Sequence, residues 1–230
     1  MTARQDVVFL FDVDNTLLDN DAVVESYRAH LVRECGKEAA GHYWDIFEEL
    51  RRELGYADYL GALQRYRLVH LHDPRLLLVS AYLLEYPFAE RLYPRALDVL
   101  ARFGRLGPTV VFSDGDVVFQ PRKIERSGIR RAVDGRVLVH VHKERELECV
   151  ERLFPAARYV LIDDKLRILT AVKRSWGPRV TTVFPRQGHY AHDPEALARN
   201  PPADLAIAAI GDLLDYDLPM LLGAAAGATR

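Results

Sequence analysis

Carboxylates, a hydroxyl and an ammonium recur in this chain directly after short apolar runs. Val7-Val8-Phe9-Leu10-Phe11 leads into Asp12-Val13-Asp14-Asn15-Thr16, and Val110-Val111-Phe112 leads into Ser113-Asp114-Gly115-Asp116. The apolar run 159–162 leads into Asp163-Asp164-Lys165, and the run 137–141 into His142-Lys143-Glu144. Carboxylates brought together repel one another unless a cation neutralises them. A hard divalent ion suits the task, because Mg²⁺ takes oxygen ligands and binds one or two carboxylates together with water and phosphate oxygens. Such a set suits phosphoryl transfer. One carboxylate attacks in line and forms an acyl phosphate, the metal and an ammonium balance the charge, and a second carboxylate moves the proton.

The elements that must hold these groups follow from the pattern of the chain. The run 7–11, β-branched and aromatic, predicts a strand buried on both faces. Residues 21–85 read as entirely helical. Tyr43, Ile46, Phe47, Leu50 and Leu54 recur at helical spacing, and Asp73-Pro74 predicts an N-cap followed by Pro at the first helical position. Beyond Tyr93 strands and helices alternate. Helices are expected over 94–103, 119–127, 144–154 and 166–175, and strands over 109–112, 137–141, 159–162, 180–184 and 205–207. Repeated β–α units imply a parallel sheet covered by helices, with the carboxyl ends of its strands along one edge. The expected fold is α/β, a Rossmann-like parallel core with helices on both faces. Residues 1–18 and 88–230 would form that core, and residues 19–87 a small all-helical cap standing over the edge where open α/β sheets bind ligands.

The motif string resembles the haloacid dehalogenase-like hydrolase superfamily in its phosphatase version. Phe11-Asp12-Val13-Asp14-Asn15-Thr16-Leu17 is similar to its first motif, Ser113 to the second, Lys143 to the third and Asp163-Asp164 to the fourth, in the family's order. The resemblance takes in Tyr93-Pro94 and the helical insert, and implies an Mg²⁺-dependent phosphomonoesterase acting on a small phosphorylated metabolite. Asp12 would be the nucleophile and Asp14 the general acid and base. Ser113 would bond the transferring group, and Lys143 would neutralise nucleophile and phosphate. Asn15, Thr16, Asp114 and Gly115 would flank the substrate. Asp12, Asp14, Asp163 and Asp164 would make the metal site, with Asp164 favoured as direct ligand. The third motif lacks the family's common Pro, which leaves Lys123 as a rival to Lys143. A phosphomutase shares both aspartates of the first motif, and a phosphate-binding module without catalysis is a third reading. A dehalogenase is disfavoured by Asp14, an acid where such enzymes typically lack one.

The remaining features point elsewhere only weakly. The formal net charge of −2 gives no electrostatic reason to expect nucleic acid or membrane as partner. Arg122, Lys123, Arg126, Arg130 and Arg131 are spaced as the exposed face of a helix. No apolar stretch is long enough to span a bilayer, and the tail 221–227 reads as a fraying helix end. Cys35 and Cys149 lie far apart and read as free thiols of a reducing, cytoplasmic compartment. His140 and His142 alternate along a strand but lack a third ligand. His189 and His192 lie in a loop expected at the surface and within reach of the active edge. Tyr43, Trp44, Phe47, Tyr56, Tyr59 and Tyr66 are expected to form a core of the insert's own.

Overall fold

A computed structural model describes residues 4–227, and side chains as far as residue 223. The chain opens with β1 (Gln5–Phe11) and continues through α1 (Asn20–Cys35), α2 (Lys37–Leu54), α3 (Tyr59–Val69) and α4 (Leu76–Glu85). There follow α5 (Ala96–Phe103), β2 (Thr109–Asp114), α6 (Phe119–Arg126), α7 (Ile129–Ala132) and β3 (Val137–His140). The last stretch holds α8 (Leu147–Leu153), β4 (Ala156–Ile162), α9 (Leu166–Trp176), β5 (Val180–Pro185), α10 (Pro194–Arg199), β6 (Leu205–Ile207) and α11 (Leu218–Gly227). All six strands are parallel, in the order β3-β2-β1-β4-β5-β6.

β1 lies between β2 and β4, pairing Leu10 with Val110 on one side and with Leu161 on the other. A strand flanked on both sides and covered on both faces must be apolar throughout, which is why 7–11 carries no polar residue. Sequence order reverses across β1, so the crevice beyond its carboxyl end is the switch point where ligands bind in open α/β sheets. Two cores result. Val8, Leu10, Val110 and Phe112 pack with α8 and α9 on one face. Phe9, Phe11 and Val111 pack on the other face with α5, and that core continues into the helical insert through Phe88 and Phe119. The insert's aromatic cluster is therefore not separate. Tyr59, packed on Phe47, also meets Phe119 of α6 at 5.4 Å. Tyr43, Trp44, Phe47, Tyr59 and Tyr66 are buried as expected of core residues, and Tyr56 is half-buried.

The chain leaves for the insert and returns from it at one place. Leu18 bridges to Leu92, Tyr93 N–H donates to the Leu17 carbonyl and Asp19 N–H to that of Arg91. Several local expectations need correcting. α4 starts at Leu76, and the Asp73 carboxylate is spent on Arg75, binding its guanidinium at 2.6 Å through each oxygen. Pro94 lies in a turn, because Arg95 takes a left-handed conformation (φ 65°) and α5 begins at Ala96. The predicted helix 144–154 divides into a 3-10 turn, Lys143–Arg145, and α8, since the Lys143 side chain is committed to the sheet edge. Within the basic run, Arg122, Arg126, Arg130 and Arg131 are exposed, but Lys123 is buried. Leu221 of α11 is buried in the core, so the tail docks at this point; the side chains of 224–227 lie outside the described residues.

Candidate active site

β1 ends at Phe11, and Asp12 N–H still donates to the Ile162 carbonyl of β4, so the Asp12 side chain emerges at the sheet edge. Asp12 is 2 % exposed and is surrounded by donors. Lys143 Nζ lies 2.5 Å from Oδ1, Ser113 Oγ 3.5 Å from the same oxygen, and Thr16 Oγ1 3.4 Å from Oδ2. Ser113 belongs to β2, which runs through Asp114, two residues beyond the expected end. Its hydroxyl also accepts a hydrogen bond from Gln120 Nε2 at 2.9 Å. Lys143 is fully buried. Its ammonium also reaches Asp163 Oδ2 at 2.7 Å and the Phe112 carbonyl at 3.1 Å. Burial alone would lower the pKa of such an ammonium, but Asp12 and Asp163 outweigh it and hold Lys143 above the ordinary lysine value. The backbone N–H of Lys143 donates to Asp114 Oδ1 at 2.7 Å, which fixes the 3-10 turn to β2.

Lys123 occupies a different position. Its ammonium lies 2.7 Å from Asp14 Oδ1 and 2.8 Å from Asn20 Oδ1, the first residue of α1. Lys143 thus serves the Asp12 side of the site and Lys123 the Asp14 side. Asn15 adopts a left-handed conformation (φ 58°), which Asn tolerates better than most residues. Its side chain is used within the fold, accepting from Asn20 N–H and Asp21 N–H and donating to Asp21 Oδ1. The Thr16 hydroxyl accepts from Asp164 N–H at 3.1 Å and so joins the first motif to the fourth. Gly115 N–H bonds to the His140 carbonyl, and a side chain at Gly115 would strike Gln120.

Asp12, Asp163 and Asp164 present oxygens within 4.8 Å of one another, the sole such cluster of potential metal ligands among the described residues. Asp163 is committed to Lys143 and to Lys165 N–H. Asp164 is fully buried, and among the described residues neither of its oxygens has a hydrogen-bond partner. An ionised carboxylate without a partner is costly to bury. Burial, reinforced by Asp12 and Asp163 and only partly relieved by Lys165, pushes its pKa well above the usual carboxylate value. Burial likewise pushes Asp163 up to about 6 and raises Asp114. This all-oxygen set with one orphaned carboxylate fits a hard divalent cation. The histidines do not join it. The His140 ring packs on Phe112, and His142 lies beside Gly55.

The site opens into a cavity of about 1040 Å³. The sheet edge supplies Asp14, Asp114 and Asp164, α6 supplies Lys123, and the insert supplies Arg28, Trp44, Phe47, Arg51 and Tyr59. The loop after β5 closes the third side with His189 and Tyr190, so this loop does reach the active edge. It is seated on the first motif. Gln187 Nε2 donates to the Thr16 carbonyl, and His189 binds Asp21 through both backbone N–H and Nδ1. Arg51 of α2 bonds the Tyr190 hydroxyl at 2.7 Å across the cavity. Sequence reasoning did not find Gln120, Gln187, Asn20, Lys165 or the Arg51–Tyr190 contact. All but Lys165 lie outside the four motif strings, and Lys165, at the end of Asp163-Asp164-Lys165, carried no assigned role.

A family model described as haloacid dehalogenase-like hydrolase matches residues 7–175. The chain belongs to this family. A haloacid dehalogenase-like hydrolase of known structure from Burkholderia xenovorans LB400 is 60% identical, with a TM-score of 0.89 over 93% of this chain and 99% of that one. At lower identity the fold is shared with L-2-haloacid dehalogenase from Xanthobacter autotrophicus, solved with chloropropionic acid covalently bound (17% identical, TM-score 0.60, covering 90% and 96%). It is also shared with the magnesium-bound HAD-hydrolase YfnB from Bacillus subtilis (16% identical, TM-score 0.60, covering 93% and 98%). No curated protein matches the sequence. The protein is thus a hydrolase of this family with a six-stranded parallel sheet, and among the described residues no helix is long and apolar enough to cross a membrane.

Proposed function

We propose that the protein is an Mg²⁺-dependent phosphomonoesterase acting on a small phosphorylated metabolite through an aspartyl-phosphate on Asp12. The observation that carries this reading is the buried Asp164 carboxylate, without a hydrogen-bond partner among the described residues, beside Asp12 and Asp163, with a further acid, Asp14, facing the same cavity. A halide leaves as a stable anion and needs no proton. An alkoxide does need one, and in this reading Asp14 gives it. The dehalogenases among the structural neighbours share the fold at an identity that carries no substrate to this chain.

In this mechanism Lys143, bonded to Asp12 Oδ1, orients the Asp12 carboxylate and balances charge as it attacks phosphorus. The Ser113 hydroxyl, oriented by Gln120, bonds a phosphoryl oxygen. Asp14 donates a proton to the departing oxygen and then takes one from the water that hydrolyses the aspartyl-phosphate. Asp12, Asp163 and Asp164 would hold Mg²⁺, whose charge lets a phosphate dianion approach these carboxylates. The helical insert acts as a cap that limits water and excludes large substrates. A cavity of about 1040 Å³ is ample for a small organic phosphate.

The test is hydrolysis of p-nitrophenyl phosphate with Mg²⁺ and with EDTA, alongside halide release from 2-chloropropionate. The wild type should release nitrophenol only with the metal. Asp12→Asn should abolish release, and Asp14→Asn should lower it by roughly a hundredfold to ten-thousandfold. Asp12→Asn turning over at the wild-type rate, or halide release in place of phosphate release, would refute the reading.

A further inference from the structure

Three ammonium groups stand at the active edge, and two are already committed. Lys143 is held by Asp12, Asp163 and the Phe112 carbonyl, and Lys123 by Asp14 and Asn20. Lys165 differs. It follows Asp164, lines the cavity and is half-buried, yet its ammonium has no hydrogen bond or ion pair among the described residues. Its Nζ instead lies 5.2 Å from the ring centre of Tyr190. The Tyr190 hydroxyl is bonded in turn by Arg51 of the insert. A ring face attracts a cation without occupying a particular N–H, so this brace holds the ammonium in the cavity and leaves its donors unspent.

The acids of the cavity wall are mostly engaged, Glu48 with Arg51, Glu144 with Arg167, and Asp21 with Asn15 and His189. The backbone places Lys165 directly before α9, and its own N–H is fixed to Asp163 Oδ1 at 2.8 Å. The side chain therefore starts from the rim of the carboxylate cluster. We propose that Lys165 is a phosphate-anchoring residue, supplying to the substrate's phosphoryl oxygens the charged donor that Lys143 and Lys123 have already given to carboxylates. This assignment rests on the phosphatase reading, and it makes the recognised group an oxyanion with several acceptor oxygens. The bond formed is a hydrogen bond from the ammonium, with no proton transferred.

The test is calorimetric titration of inorganic phosphate into Mg²⁺-saturated wild type, Lys165→Met and Lys165→Arg, at low salt and again at about 0.5 M NaCl, where the Debye length is only a few ångströms. Loss of a charge-assisted contact should weaken phosphate binding by roughly tenfold or more in Lys165→Met, at both salt concentrations. Lys165→Arg should recover most of the affinity, and thermal midpoints should confirm that both variants are folded. Equal phosphate affinity in wild type and Lys165→Met overturns the assignment. So does a deficit that disappears at high salt, because that is long-range charge balance with Asp164 and not contact. A wild type that takes up no phosphate overturns it as well. A wild type that binds phosphate through Lys165 but never hydrolyses p-nitrophenyl phosphate would defeat the phosphatase reading and leave the anchoring role standing.

Discussion

Without metal, the fourth motif should make the protein less stable as pH rises from 4 to 6, the reverse of the usual behaviour of carboxylates. Burial raises Asp163 from the ordinary 3.8 to about 6. Between those values the folded state binds more protons at this site than the unfolded state does. Stability therefore falls with rising pH across the window and is fully present only below it. A shift of this size corresponds to roughly 3 kcal/mol. Asp114 and Asp164 are also raised and act in the same direction. Asp21 and Asp73 are depressed, so their contributions are lost only as pH falls below 3.8. His30, lowered by burial and then by Arg33, opposes the trend, because its stabilising effect is lost on acidification through 6.5. Asp163→Asn isolates the one group. The assay is urea denaturation of wild type and Asp163→Asn in EDTA from pH 4 to pH 7.5. The wild type should lose roughly 3 kcal/mol relative to the variant across this range, with most of the loss below pH 6.5. Saturating Mg²⁺ should flatten or reverse the slope, since a cation favours the ionised carboxylates. A difference independent of pH, or one that rises with pH in EDTA, would refute the view that burial dominates this aspartate.

Two further substitutions probe the scaffold of the first motif. Asn15→Ala removes three hydrogen bonds and places Ala in a left-handed conformation, so it should cost about 2–4 kcal/mol in urea unfolding. Asn15→Gly, which tolerates that backbone, should cost less by about 1 kcal/mol. At Gly188, where φ is +67°, an added Cβ would lie 2.4 Å from Asn15, so Gly188→Ala should destabilise by on the order of 1–3 kcal/mol. It should also raise KM for p-nitrophenyl phosphate by displacing His189 and Tyr190 from the cavity wall, whereas the exposed Ala substitution Arg130→Ala should leave KM unchanged.

The edge that carries the candidate site was legible because each motif follows an apolar run that has to be a buried strand. Val7 to Phe11 can satisfy its burial only between neighbouring strands, and that places Asp12 at the end of one. The strand order was not legible, because pairing partners are set by packing across distant segments and not by local pattern. Lys123 shows the limit most clearly. Its spacing with Arg122, Arg126 and Arg130 reads as a solvated helix face, yet it is buried because Asp14 and Asn20, more than a hundred residues earlier, supply its partners. The helix starts after Asp73 and Tyr93 were misplaced for a related reason. Asp73 found a guanidinium to bind, and Arg95 took a left-handed backbone, and neither choice is encoded in propensity.

The two buried lysines divide the site by what each joins. Lys143 ties β2, β4 and the end of β1 together through Phe112, Asp163 and Asp12, all within the sheet edge. Lys123 ties α6 to Asp14 and to Asn20, where the insert begins. Asp14 is thus anchored across the boundary between sheet and insert, and Asp12 is anchored entirely within the sheet edge. Removing Lys143 leaves buried carboxylates uncompensated, a cost in stability of the kind expected for one partner of a buried ion pair. Asp14 is partly open to the cavity, so removing Lys123 frees a carboxylate that water can reach, and the expense falls on the positioning of Asp14. The two substitutions should therefore separate in unfolding, where loss of Lys143 costs more than loss of Lys123, although both should lower turnover and both remove one ammonium from one aspartate of the same motif.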